Sequence, residues 1–287
     1  MELIIAETAG FCMGVDMALN KLDKAVRNPP GKGTIHTLGP IIHNPQVIAE
    51  LRREGIRAVT SFTHLKPGEV LLIRSHGIPL PVERRMRARG LQVIDATCPF
   101  VKKAQNLVAQ LVQEGCRSIL IVGEPHHPEV EGLISYGPPG QVHVVQSVGD
   151  LKPLKLAGQV GLVAQTTQSP AAFRRILARL RRRTGITLRV HDTICRETNR
   201  RQADALRLAR QCDAILIVGG KNSANTARLH LRCRAVNPRA FHIEQADELT
   251  PEMLRGVKTL GLVSGASTPV AIVEEVARKA GGTCRKP

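Results

Sequence analysis

Seven cysteines stand in this chain of 287 residues, and three of them share a setting. Cys12 follows Leu3-Ile-Ile-Ala, Cys98 follows Val93-Ile-Asp, and Cys195 follows Val190-His-Asp. Each comes after an apolar, strand-like stretch and a short polar turn, and each precedes an amphipathic helical pattern. A thiol at the start of a helix has its pKa lowered by the aligned peptide dipoles, so thiolates are favoured there. No Cys-x-x-Cys occurs, which removes the zinc ribbon and the thioredoxin-type redox motif. Soft thiolates select zinc, copper(I) or an iron–sulfur cluster. A closed structural zinc site takes four ligands, whereas three equivalent cysteines leave a metal position open, as catalysis requires. The first reading is a four-iron, four-sulfur cluster held by three cysteines with one open iron. Zinc with three cysteines and a histidine is the second. Cys116 and Cys212 lead straight into apolar strands, and with Cys233 and Cys284 they read as structural.

The polar residues that follow the other strands have a different chemistry. His43, His76 and His127 each come just after a strand, in what read as equivalent loops, and Ser223, Asn225 and Ser267 add hydroxyl and amide donors at the same ends. Such donors, gathered with helix N-termini, suit phosphate oxygens. Glu129 is the carboxylate of this set, and with Thr166 as intermediary it can relay protons. Glu131 reads as a helix N-terminal acid that favours the dipole. The remaining histidines, His36, His64, His143, His191, His230 and His242, have no such company and read as structural.

Three internal repeats would carry these residues. Each runs through a strand, a cysteine turn and a helix, then two further strands; Gly123 closes a strand 25 residues after Cys98, and Gly219 does so 24 after Cys195. Short strands alternating with helical patterns build parallel sheets from βαβ units. The expected fold class is therefore α/β, with three pseudo-repeated domains over residues 1–98, 99–193 and 194–287. Ligands of such sheets sit beyond the carboxyl ends of the strands. Packing around a pseudo-threefold axis would bring the three thiols to the centre.

Composition narrows the function classes. Hydrophobic residues at 43% and charged residues at 23% are those of a globular protein, and no apolar run approaches the roughly 20 residues of a membrane-spanning helix. The start, Met1-Glu2-Leu3-Ile4-Ile5, reads as a strand and not as a signal peptide, so a cytoplasmic protein is expected. The net charge of +17 attracts anions of any size. A basic nucleic-acid-binding protein with structural or zinc-bound cysteines is the alternative from another class. Aromatic residues at 2%, with no Trp, leave almost no stacking surface for single strands and argue against it. The dense run Arg179 to Arg183 reads as a solvated helix face.

These motifs, taken together and in order, resemble one family. Cys12-Met-Gly-Val, Ile42-His-Asn44, Ser75-His-Gly77, Asp95-Ala-Thr-Cys-Pro99, His127-Pro-Glu-Val-Glu-Gly132, Ala164-Gln-Thr-Thr167, Thr193-Ile-Cys195, Gly220-Lys-Asn-Ser-Ala-Asn225 and Gly265-Ala-Ser-Thr-Pro269 follow the pattern of the LytB-type 4-hydroxy-3-methylbut-2-enyl diphosphate reductases. The resemblance implies a trefoil of three α/β domains around a central 4Fe-4S cluster on Cys12, Cys98 and Cys195. It implies the last step of the methylerythritol phosphate route to isoprenoids, in which two electrons and two protons remove the substrate hydroxyl as water. The products are then isopentenyl and dimethylallyl diphosphate. It further implies that the substrate diphosphate meets His43, His76, His127, Ser223, Asn225 and Ser267, with Thr167 in the shell behind them. Glu129 and Thr166 are implied to carry protons, and a ferredoxin or flavodoxin to deliver electrons. Ala224 departs from the family's frequent Ser-Ser-Asn and removes one phosphate donor. One neutral hydrogen bond contributes about 0.5–1.5 kcal/mol, so its loss weakens binding without abolishing it.

Overall fold

A computed structural model describes residues 1–30 and 34–281, and the backbone of 283–285. The side chain of Cys284 lies outside the described residues. The chain begins with β1 (Glu2–Ile5), α1 (Met13–Arg27), β2 (Ile35–Leu38), α2 (Pro45–Arg53), β3 (Arg57–Val59), β4 (Val70–Ile73), α3 (Leu80–Ala88) and β5 (Gln92–Asp95). It continues through α4 (Pro99–Gln113), β6 (Ser118–Val122), α5 (Pro128–Ile134), β7 (Val142–Val145), β8 (Gly158–Ala164), α6 (Pro170–Arg181) and β9 (Ile186–Val190). The last stretch holds α7 (Arg196–Gln211), β10 (Ala214–Val218), α8 (Ala224–Arg234), β11 (Ala240–Ile243), α9 (Pro251–Leu254), β12 (Thr259–Ser264), α10 (Val270–Ala280) and β13 (Thr283–Arg285).

Among the described residues the strands form three sheets, ordered β3-β2-β4-β5, β7-β6-β8-β9 and β11-β10-β12-β1-β13. Every strand pairing is parallel. The α/β class and the three repeats are thus as the sequence indicates. The N-terminal strand departs from the expected plan. It belongs by hydrogen bonding to the sheet of the third repeat, with Leu3 opposite Leu260 and Ile5 opposite Leu262. There β1 takes the place that β5 and β9 take in their own sheets, the last strand before a cysteine. Sequence similarity marks the strand, turn and cysteine as a repeat, but only pairing partners decide which sheet the strand completes.

The chain divides into two compact units. One comprises Met1–Asp16, Ile42–Glu54 and Arg196–Pro287, and the other Met17–Ile41 and Gly55–Cys195. In the first unit, Ala-Ile-Leu-Ile-Val of β10 is fully buried because both faces of its sheet are covered. Leu216 and Val218 pack with Leu3, Leu262, Val273 and Val276. Ile215 and Ile217 meet Ala205 and Leu208 of α7 and Cys233 of α8 on the other face.

The second unit contains two sheets. In one, Leu71 and Ile73 of β4 pack with Met86, Leu91, Phe62 and Leu65. In the other, Leu120 and Leu162 meet Phe173, Ile176 and Leu180 of α6, while Ile119 and Ile121 meet Ala104, Val108 and Leu111 of α4. Helix α4 therefore packs on a different sheet from β5, the strand that precedes Cys98. Likewise β9 lies in the second unit and α7, after Cys195, in the first.

Helix starts are built for this role. Asn44 caps α2, its Oδ1 accepting from the backbone N–H of Gln46 and Val47 at 3.1 Å each, and it is 3% exposed. Pro45, Pro99, Pro128 and Pro170 then open α2, α4, α5 and α6, where a missing N–H costs nothing. Asn44→Ala removes the cap beside His43. We expect a loss of about 0.5–2 kcal/mol, read as a lower denaturant midpoint at unchanged slope.

Candidate active site

In the second unit the candidate site residues stand on loops beyond the carboxyl ends of β4, β5, β6, β8 and β9. A proline disfavours helical backbone in the residue before it. Cys98 and His127 accordingly hold extended ψ values of 136° and 134° immediately before Pro99 and Pro128. The Cys98 amide donates to the Ser75 carbonyl at 2.9 Å, and the Cys195 amide to the Thr166 carbonyl at 2.8 Å. Each cysteine is thus tied to the loop of the neighbouring strand. Asp95 braces the same turn, accepting from the Thr97 amide at 2.9 Å and pairing with the Lys102 ammonium at 3.1 Å. Burial pushes the Asp95 carboxyl up, but the Thr97 and Lys102 contacts outweigh it and the net shift is down.

Glu129 and Thr166 form the tightest pair of the site. Glu129 is 1% exposed in the first turn of α5. Its Oε1 accepts from the Thr166 amide at 2.6 Å, and its Oε2 from the Thr166 hydroxyl at 2.9 Å. A hydroxyl donates to a carboxylate and accepts from a carboxylic acid, so this pair accommodates the carboxyl group in either protonation state. The Glu129 amide in turn donates to His127 Nδ1 at 3.1 Å. That contact makes Nδ1 the acceptor, which leaves Nε2 as the donor in the neutral ring. His76 meets the His127 ring edge-on, with centroids 5.6 Å apart. Thr167 Oγ1 accepts from Gln165 Nε2 at 3.2 Å, and Gln165 Oε1 accepts from the Glu124 amide at 3.0 Å.

The first unit carries the rest. The Cys12 amide donates to the Ala266 carbonyl at 3.0 Å, and the Cys12 carbonyl accepts from the Asp16 amide at 2.9 Å to open α1. Ser267 Oγ donates to the His43 carbonyl at 3.1 Å, joining the loops after β12 and β2. Gly220 is required at this junction, because a Cβ there would stand 2.8 Å from the His43 carbonyl oxygen. Ser223 is 5% exposed and caps α8, accepting from the Thr226 amide at 3.4 Å, and Asn225 follows half-buried in the first turn. Lys221 is committed to an ion pair with Glu248.

The three histidines do not occupy equivalent loops. His43 and His127 precede the helices after the strands β2 and β6, as Ser223 does after β10. His76 follows β4, in the place that Thr167 and Ser267 hold after β8 and β12. A strand followed by a polar turn looks the same in sequence whichever strand of the sheet it is. Glu131, by contrast, is exposed at the start of α5, as expected. The sequence assigned no role to Gln165, Thr193 and Arg201, all buried. Thr193 Oγ1 pairs with both the amide and the carbonyl of Ala164, a strand-fastening role that its place two residues before Cys195 hinted at.

The cysteines separate into two chemical sets. Cys116, Cys212 and Cys233 are buried, and burial raises all three thiols, Cys233 to about 11. These resist the deprotonation that metal ligation demands. Cys12, Cys98 and Cys195 are only partly buried. Three soft donors, each at the start of a helix, fit an anionic iron–sulfur group. Among the described residues no three His, Cys, Asp or Glu side chains are grouped as around a single metal ion. Nor is any described helix long and apolar enough to cross a membrane.

Comparison with known proteins agrees across the whole chain. A 4-hydroxy-3-methylbut-2-enyl diphosphate reductase of Solidesulfovibrio magneticus is 45% identical over 282 residues, covering 96% of this chain and 98% of its own length. The reductase of the same name from Aquifex aeolicus is 42% identical, covering 96% and 94%. A solved structure of (E)-4-hydroxy-3-methyl-but-2-enyl diphosphate reductase, described as the terminal enzyme of the non-mevalonate pathway, is 41% identical with a TM-score of 0.74 over 98% of this chain and 99% of its own. The Plasmodium falciparum reductase structure is 26% identical with a TM-score of 0.89, covering 100% and 91%. None of these similarities supports the nucleic-acid-binding alternative. The sequence profile of the LytB protein family matches residues 3–280, and the chain belongs to that family.

Proposed function

We propose that this chain reduces 4-hydroxy-3-methylbut-2-enyl diphosphate to isopentenyl and dimethylallyl diphosphate, with Cys12, Cys98 and Cys195 holding a 4Fe-4S cluster. The observation that carries the reading is the coincidence of near-full-length family membership with the polar residues at the strand ends of all three sheets. When bound, the cluster supplies electrons singly and, at the iron without a protein thiolate, a Lewis-acidic seat for the substrate hydroxyl.

The chain's own residues do the remaining work. His43, His76, His127, Ser223, Asn225 and Ser267 are donors for the diphosphate oxygens, assisted by the N-termini of α2, α5 and α8. Thr167, held by Gln165, supports them from behind. Ala224 opens α8 with no hydroxyl, so the backbone and its neighbours Ser223 and Asn225 answer for that end of the diphosphate. Glu129 delivers a proton and regains one, with the Thr166 hydroxyl following its change of state. His127 Nε2 is the donor of the neutral ring because Nδ1 accepts from the Glu129 amide. An acidic ferredoxin or flavodoxin is the donor that a chain of net charge +17 would attract. The division at residues 98 and 193, the trefoil arrangement and a cytoplasmic location belong to the same proposal.

Anaerobic purification with visible absorption and iron and sulfide analysis tests the ligand set. Wild type and Cys233→Ala are expected to be brown with near-stoichiometric cluster, and Cys98→Ser to lose the colour. A colourless wild type that still resists reconstitution ends the reductase reading. For the proton path, Glu129→Gln is expected to keep its cluster and lower kcat by about 10²–10⁴. Turnover within tenfold of wild type would take Glu129 out of the proton path.

A further inference from the structure

Helix α7 holds a buried cation that the reaction described above does not use. Arg201 stands six residues after Cys195 and is 3% exposed. Its Nη1 donates to the Ser264 carbonyl at 3.1 Å and to the Ser264 hydroxyl at 3.3 Å. The same hydroxyl accepts from the Gly10 amide at 2.9 Å, two residues before Cys12. A guanidinium thus anchors, through one serine, the turn that presents the Cys12 thiol.

The local anions do not answer this charge. Glu197, one helical turn earlier, comes only to 3.9 Å and is 36% exposed, so solvent screens it. Asp204 is engaged elsewhere, pairing with Arg207 at 2.6 Å and accepting from Thr8. Among the described residues the Nε of Arg201 has no hydrogen-bond partner. Burial works against the guanidinium charge, and the first group that favours it is Cys12, ahead of Glu197 and Asp204. An arginine stays protonated even so, and a buried charge without a full complement of partners is costly. An anion at Cys12 removes that cost.

We propose that Arg201 is a positioning residue for the cluster, a fixed positive charge anchored to the turn that leads into Cys12, which favours the reduced, more negative form of the bound cluster. The inference rests on the reductase reading and goes beyond its ligand and substrate contacts. One-electron reduction adds one negative charge to the cluster, and the electron comes from the external donor. A nearby cation lowers the energy of that state more than of the oxidised one. Removing it makes the cluster harder to reduce, without touching substrate-binding groups.

The test is a dithionite redox titration of reconstituted wild type, Arg201→Gln and Arg201→Lys, followed by visible bleaching and electron paramagnetic resonance. Iron and sulfide are counted in parallel. At the poise where wild type is half reduced, Arg201→Gln is expected to show a reduced-to-oxidised ratio about tenfold lower, equal to about 59 mV for one electron. Arg201→Lys, which keeps the charge, is expected within twofold of wild type. A wild-type ratio in loaded Arg201→Gln overturns the proposal, as does an equal shift in both variants, since Arg201 would then only fasten Ser264. Where Arg201→Gln takes up no cluster, loading of Arg201→Lys at the wild-type potential supports the charge, and failure of both variants overturns it. A wild type that itself cannot be loaded defeats the reductase reading first, and this inference with it.

Discussion

A parallel strand ends with its carbonyl groups at the same edge where the following helix opens with unsatisfied amides, and the candidate site residues of this protein stand at that edge. The constraint is one of backbone polarity: the loop between strand and helix must turn within a few residues and satisfy the first helical N–H groups. Asn44, His127 and Ser223 meet it with their side chains, and Pro45, Pro99, Pro128 and Pro170 meet it by having no N–H to satisfy. The same residues that start helices therefore face the ligand end of each sheet. A cap accepts from helical N–H groups while the proposed diphosphate contacts ask His127 and Ser223 to donate, and an imidazole or a hydroxyl can do both at once.

Hydrogen bonds between neighbouring loops convert this edge into ordered chemistry. Thr166 is the clearest case. Its amide and hydroxyl hold Glu129, while its carbonyl holds the amide of Cys195. One residue thus connects the carboxyl group to the backbone of a cysteine. Ser264 does comparable work in the other unit, taking the Gly10 amide and the Arg201 guanidinium at one hydroxyl. Ser264 ends β12 and Thr166 lies two residues beyond the end of β8, each a strand paired on both sides within its sheet. A site that must seat a diphosphate and a reacting hydroxyl at once benefits from loops whose positions are set by the rigid sheet beneath them.

Burial then sorts groups of the same type into different roles. Six described cysteines divide by environment, with Cys116, Cys212 and Cys233 locked as thiols inside apolar clusters and Cys12, Cys98 and Cys195 left at helix starts. The two acids of α5 divide in the same way. Glu131 is exposed beside the helix dipole, whereas Glu129, two residues earlier, turns inward to Thr166.

The α/β class, the three repeats, the parallel sheets and the placing of the candidate site residues after strand ends were legible in the sequence, because strand runs, helix punctuation and the cysteine turns are local patterns that recur. Ala-Ile-Leu-Ile-Val of β10 announces a strand covered on both faces without reference to anything distant. Only the tertiary structure decided that β1 completes the sheet of β10 and β12, since a strand's pairing partner is a long-range choice that its own residues do not encode. It also decided that His76 stands in the place of Thr167 and Ser267, and that Gln165, Thr193 and Arg201 are buried polar partners. Arg201 is one arginine among many along α7 in sequence. What distinguishes it is the helix face turned toward Ser264, and that face exists only once the sheet beneath it has formed.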